Sequence, residues 1–462
     1  MKSRLAAATL ALTFAASAVA TETPRVARPP QYIVMSFDGS QSIERWRTTR
    51  QFARDNNIKF TYFISGVYYL SNETKNLYQG PGRRAGRSDI GFGSDNADIQ
   101  TRVAETLAAQ QEGNEIGSHA NGHFAGEGWS FDQWLSEFTQ FTRFLSDVFS
   151  LNNLADTSQQ SQWAQALSQS IKGFRAPLLS YNVDMYKVME QTGMVYDTSQ
   201  IWRPSLWPKK RDDANIWIMP LQQIPIIGTS RRTITMDYNF YVSQSGAQRD
   251  LENAALYQTQ MYNSYIAHFQ NNYNGNRTPI VIGHHFSNWN GGAYWRALMD
   301  FARLACRQPE VRCVTHKELA NYLEANVGNL PSYQAGNFDK LPAINLIQEV
   351  RQSNVDVRLG QVEGSEVRAF VAGADSDDEL TWLVDGVEQP QLQGQASVDL
   401  EDLGLDDGAA LRASVRRNGV VVNSATHQVE STAYSDIEIK DVSLEERALM
   451  GDMAEAHNEE AD

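Results

Sequence analysis

Between Tyr32 and about Val327, short apolar runs alternate with longer amphipathic stretches. The runs "QYIVMSF", "KFTYFI", "NEIGSH" and "PIVIGHH" have the length and the apolar content of buried strands. Between them, "ADIQTRVAETLAAQQEG", "SFDQWLSEFTQFTRFLSDVF" and "GAYWRALMDFARLA" place apolar residues at helical spacing. Strand–helix alternation over roughly 300 residues predicts a parallel α/β fold, barrel-like or doubly wound. In both architectures the chemistry sits where strands end and loops begin. Asp38, His119 and His284 each stand at the carboxyl end of such a run.

After "NVGNLPSYQAGNFDKLPA" the pattern shifts. Residues 354 to 431 carry short β-type runs separated by turn signals such as "VDGV" and "RRNGVV". Trp382, on a central run, suits a position between two sheets, and the whole predicts an immunoglobulin-like sandwich. The expected division is 1–20, 21–333, 334–433 and an acidic tail, 434–462. One segment interrupts the first large unit. Residues 71–96, "SNETKNLYQGPGRRAGRSDIGFGSDN", form either a rim that meets a ligand or a mobile surface loop.

The first twenty residues belong to neither pattern. Lys2 and Arg4 precede an apolar run, Leu5 to Ala16, and Ala18-Val19-Ala20 is a small-x-small site. This predicts a signal peptide cleaved after Ala20, hence a secreted or periplasmic protein with no stable membrane insertion. An oxidising compartment in turn predicts that Cys306 and Cys313, close together in "LACRQPEVRC", are joined. A formal net charge of −15 leaves no footprint for nucleic acid. It favours neutral or cationic polymers as partners.

The candidate chemistry gathers at strand ends. "EIGSHANGHF" holds His119 and His123 four apart, a spacing that turns both imidazoles the same way and suits zinc or a similar divalent cation. A third ligand is usually a carboxylate, and Asp38 is the strand-end acid available. "GFRAPLLSYN" supplies Arg175, which would hold such a carboxylate ionised and aimed. "PIVIGHHFSNWN" offers His284 and His285, one of which can serve as general acid. If strand alternation continues there, His284 shares a face with Ile282, and His285 lies on the face of Gly283. Trp202, Trp207, Trp289 and Trp295, in or beside loops, are candidates for stacking on sugar rings.

In this order, "SFDGS", "SHANGH", "RAP" and "IGH" resemble the motifs of polysaccharide deacetylases of carbohydrate esterase family four, the NodB-homology group. "MVYDTSQIWRPSLWP" and "PEVRCVTHKELANYLE" are similar to its chitin deacetylase branch. The resemblance covers about residues 30 to 326. It implies a distorted (β/α) barrel and a metal-dependent deacetylase acting on an acetylated polysaccharide of the N-acetylglucosamine type, chitin-like or peptidoglycan-like. It assigns Asp38 as base, His119 and His123 as metal ligands, Arg175 as the residue tuning the base, and His284 as acid, with His285 as the register-shifted alternative. Zinc is the expected ion.

Two positions depart from the family. Gly39 stands where it has a second, metal-binding acid, and Ala120 where it has Ser or Thr. Three outcomes follow from Gly39. Asp38 ligates the metal itself, or Gln41, Glu44 or Asn121 substitutes, or the metal is held weakly. Asp197 and Asp237 are the candidates for the acid's own carboxylate partner. The same departure motivates a rival reading, a non-catalytic glycan-binding protein on a deacetylase scaffold.

Overall fold

The computed structural model describes residues 23–429 except 155–158, 252, 347–355, 364, 373, 375–377, 386, 406–408 and 418–419. The signal peptide and the acidic tail expected from the sequence lie outside the described residues.

The four apolar runs form strands as expected. They are β1 (Gln31–Gly39), β2 (Thr61–Ile64), β3 (Glu115–Ser118) and a strand at Ile280–His285. With β4 (Gly173–Phe174), β5 (Tyr196–Asp197) and the strand Trp217–Ile218 they make the parallel part of a nine-stranded sheet. Its order runs Ile280–His285, β1, β2, β3, β4, β5, Trp217–Ile218, and an antiparallel Lys209–Lys210 strand closes that edge. Strand Val311–Val314 pairs with the first half of β1, below the point where β2 begins. The sheet is curled into a half-barrel within a mixed α/β architecture. Its open side is stitched by a small second sheet: Thr235 accepts from the amide of Gly283 and donates to the carbonyl of Val281, while Gln222 Oε1 accepts from the amide of Val281.

The three amphipathic stretches are helices with identifiable ends. Asp95 caps helix Asn96–Gln111, and Ser130 with Gln133 forms a reciprocal capping box on helix Phe131–Ser146. Helix Trp289–Ala305 begins with a kink, because Asn290, Gly291 and Gly292 all have positive φ.

Strand alternation sorts the core into two layers. Ile33, Met35 and Phe37 of β1, with Ile280 and Ile282, pack under the helices. Tyr32, Val34 and Val281 face the other way, into an interior shared with Phe63, Tyr196 and Met236. Asp38 and His285 continue that inner face. Cys306, at the end of helix Trp289–Ala305, is disulfide-bonded to Cys313 on the strand beside β1. No helix among the described residues is long and apolar enough to cross a membrane.

The C-terminal strands form two antiparallel sheets, one of three strands and one of four. Val357, Leu359 and Val367 of the first share a core with Trp382, Leu411, Ala413 and Val415 of the second, and Trp382 is fully buried there. After residue 333, Phe338 packs into the inner core of the half-barrel and Leu341 and Ile344 against its outer core, and the first described strand of the C-terminal sheets is Asp356–Glu363.

Candidate active site

Asp38 ends β1 on the inner face and is nearly fully buried. Its Oδ1 accepts from Arg175 Nη1 at 2.8 Å. Arg175 has no exposed surface, and five groups hold it. Nη1 also donates to Ser36 Oγ (2.8 Å), Nε to the Thr198 carbonyl (3.2 Å) and Nη2 to Thr198 Oγ1 (3.0 Å), while the guanidinium lies over the Phe63 ring. A buried ion pair with its remaining donors satisfied is the geometry that tolerates burial.

The guanidinium fits because Gly283 has no side chain. A Cβ there would stand 2.7 Å from Arg175 Nη1 and 2.8 Å from Met236 Cε. Arg175 is pinned, so its Nη1 cannot yield cheaply, whereas Met236 Cε ends a flexible side chain. Gly283→Ala is therefore expected to cost about 1–3 kcal/mol, the usual range for overpacking, and to pull the guanidinium off Asp38. Urea titration and a structure of the variant check both.

After Gly39 the chain turns sharply. Gly39 and Ser40 both have positive φ, 72° and 64°. This conformation favours glycine. It gives a local reason for Gly39 that is independent of any metal.

His119 follows β3 directly. Its Nδ1 lies 2.8 Å from the carbonyl of Arg175. A carbonyl only accepts, so Nδ1 carries the proton and Nε2 keeps its lone pair. His123 returns beside it through a turn in which Ala120 (φ 51°) and His123 itself (φ 61°) are left-handed, and the two rings are 5.3 Å apart. Burial pushes both imidazoles down to about 3, the second further depressed by the first. Both are therefore neutral bases across the physiological range. His123 Nδ1 is buried and has no partner in the structure. Two neutral imidazoles, one oriented from behind by a carbonyl and one with an orphaned buried nitrogen, fit a divalent cation.

The third donor is another matter. Among the described residues no group of three His, Cys, Asp or Glu side chains is placed to hold a metal. Asp38, expected as that donor, accepts from Arg175 through Oδ1. Gln41 and Glu44 are exposed, while the Asn121 side-chain N–H donates to the Glu137 carbonyl and its Oδ1 is buried against Gly66 without a hydrogen-bond partner. A catalytic zinc site ordinarily has three protein ligands; among the described residues, His119 and His123 are the pair that one turn brings together.

Strand register separates the two candidate acids. Asp38 pairs with His285, and Phe37 with His284. Parallel partners share a face, so His284 turns outward with Phe37, fully buried, its Nε2 3.1 Å from the hydroxyl of Tyr265. Burial lowers it to about 4. His285 faces inward with Asp38 and stays partly exposed. Its Nδ1 lies 2.7 Å from Asp237 Oδ1, and its amide donates to Asp237 Oδ2. Burial opposes charge on His285, but the Asp237 carboxylate outweighs it and raises the imidazole above its ordinary value. Asp237 moves the opposite way, as a carboxylate beside two imidazoles must. Asp197, the other candidate, is bonded to Ser199 and Tyr186.

Of the four tryptophans, Trp289 lies closest to this chemistry. It stands 5.4 Å from the His285 ring and stacks on Tyr241. Trp207 is buried, with its indole N–H on the Asn276 carbonyl. Trp202 is bonded to Gln200, and Trp295 packs under Arg45.

No family model matches the chain, and no curated protein matches it. In structure it is similar to family 4 carbohydrate esterases. A Mycobacterium smegmatis protein designated a polysaccharide deacetylase aligns at 12% identity over 71% of this chain and 100% of its own, with a TM-score of 0.42. A family 4 pseudoenzyme from Bacillus anthracis aligns at 10% identity over 64% of this chain and 67% of its own, with a TM-score of 0.35. A family 4 carbohydrate esterase from Streptomyces lividans aligns at 11% identity over 61% and 91%, with a TM-score of 0.31.

Proposed function

We propose that this chain is an exported, metal-dependent deacetylase of an acetylated polysaccharide, a barrel of the deacetylase type carrying an immunoglobulin-like sandwich behind it. One observation carries the reading. Two polar pairs, Asp38–Arg175 and His285–Asp237, stand side by side on adjacent strands in register, facing the same interior. One is a carboxylate held by a guanidinium. The other is an imidazole held by a carboxylate. Together they are a base and an acid, set apart by their partners.

Each residue then has a role. His119 and His123 would hold a divalent cation, zinc by donor type, which when bound would supply Lewis acidity toward the acetyl carbonyl and lower the pKa of a water. Asp38 takes the proton of the attacking water. Arg175 keeps that carboxylate ionised and oriented. As the C–N bond breaks, His285 gives its Nε2 proton to the departing amine, and Asp237 stabilises the imidazolium before the transfer and fixes the ring. Trp289 walls the His285 side and offers an aromatic face to a pyranose. The products are acetate and a free amine. The apolar leader and the disulfide support export.

Acetate release from chitin oligomers, peptidoglycan and acetylxylan tests the reading, with added divalent metal and with chelator. With two protein donors, activity is expected to need metal well above trace level and to vanish with chelator. That no third such side chain is placed with them among the described residues favours a second reading, glycan binding without hydrolysis. Glycan retention with no acetate at saturating zinc would establish it.

The acid also makes a pH prediction. His285 works while protonated, so kcat/KM falls as pH rises through its raised pKa. Asp237→Asn removes the charge that raises it. The basic limb of the profile is then expected to move to lower pH by about one unit or more. A profile unmoved by the substitution would remove His285 from the role of acid.

A further inference from the structure

The 71–96 insertion is neither a detached rim nor a free surface loop. It folds onto the turn that carries His119 and His123. Tyr78 of the insertion is buried, and its hydroxyl accepts from the amide of Gly122 at 3.1 Å. The same hydroxyl donates to Glu137 on helix Phe131–Ser146, 3.1 Å from Oε1 and 3.2 Å from Oε2. Glu137, also buried, accepts from the amide of Asn121 at 3.0 Å, and its backbone carbonyl accepts from the Asn121 side chain at 2.9 Å. The amide of Asp89 closes the other side on the carbonyl of Gly122 at 2.9 Å. Asn121 and Gly122 are the middle of the turn. Its ends, Ala120 and His123, are the left-handed residues.

These bonds answer a specific need. Two non-glycine residues in the left-handed region persist only where the surroundings hold them there. The turn has no helix or strand ladder of its own, so its amides must find other acceptors. A buried carboxylate and a buried phenol supply them. Tight packing adds to this: a Cβ on Gly122 would meet the Tyr78 ring at 2.5 Å, and one on Gly66 would meet Asn121 Oδ1 at 2.2 Å.

We infer that Glu137 and Tyr78 are positioning residues, a clamp that sets the two imidazoles as a preformed metal-binding pair. This rests on the reading of His119 and His123 as metal donors. Neither clamp residue touches the reacting atoms. They act through the backbone between the two donors, as groups behind a metal ligand do. With two protein donors among the described residues, this site gains more from preorganisation than a complete one would.

The test uses the full chain and the variants Tyr78→Phe and Glu137→Gln. Hydrogen–deuterium exchange is followed on peptides covering residues 119–124, and ZnCl2 is titrated into metal-free protein by calorimetry. Both variants are expected to exchange faster in that segment while the β1 and 280–285 segments stay protected. Both are expected to bind zinc about 10-fold or more weakly. Unchanged exchange in the segment overturns the clamp. Faster exchange with unchanged zinc affinity overturns its positioning role. If the parent chain itself binds no zinc, the metal reading falls, and the exchange measurement alone decides whether the clamp exists.

Discussion

An Asp38→Asn protein is expected to release acetate about 10²- to 10⁴-fold more slowly than the parent, the usual contribution of a general base. It is also expected to be less stable by about 3 kcal/mol, the lower end of the cost of breaking a buried ion pair. Both effects come from one bond. Asn keeps the shape and an acceptor for Arg175 Nη1, but it takes no proton from water and does not neutralise the guanidinium. Arg175 cannot swing to solvent. It has no exposed surface, and Thr198 holds it from the other side. The charge therefore stays in place without its partner. Acetate assay and urea titration read the two effects separately. Ser36→Ala is the control, because it removes a neutral bond to the same nitrogen and leaves the charge pair intact. Acetate release from Asp38→Asn at the parent rate would take Asp38 out of the mechanism.

The second large effect is a gain. Gly39→Asp is expected to tighten zinc binding by about 10-fold or more, because it adds a carboxylate to a site with two donors. The space exists. A Cβ at Gly39 meets nothing closer than 3.8 Å, and it would point at Tyr68 and at Ser65 Oγ, in the turn that follows β2. The backbone resists. At φ 72° a side chain costs about 1–2 kcal/mol, though Asp is among the residues that bear this conformation best. The expected variant is thus slightly less stable without metal and regains stability when zinc is present. Thermal melts with and without ZnCl2, beside a calorimetric titration, check it. An affinity no higher than the parent's would mean that the turn at 39 aims the new carboxylate away from the imidazoles.

The expectations that held share a physical character. The strands β1, β2, β3 and 280–285 and the three amphipathic helices were readable because each rests on local periodicity and local caps, such as Ser130 with Gln133. The joining of Cys306 and Cys313 was readable because the residues lie close along the chain. His119 and His123 were readable as a pair for the same reason, since one turn carries both. Asp237 was only one of two candidates. It lies 48 positions from His285, and nothing near it in the chain distinguishes it from Asp197. Tyr78 and Glu137 left no signal at all, because a buried phenol and a buried carboxylate read as ordinary core and helix-surface residues until they meet.

By itself, then, the sequence determined where strands end, which polar residues stand at those ends, and that a glycine rather than an acid follows Asp38. Tertiary structure alone decided which of two adjacent histidines faces that acid. Side chains alternate along a strand, so the register of 280–285 against β1 sends His284 to the helices and His285 to the interior, and a slip of one residue would reverse them. It also decided that Asp38 Oδ1 meets the Arg175 guanidinium. That follows from the room Gly283 leaves across the interior, a distance no local pattern encodes.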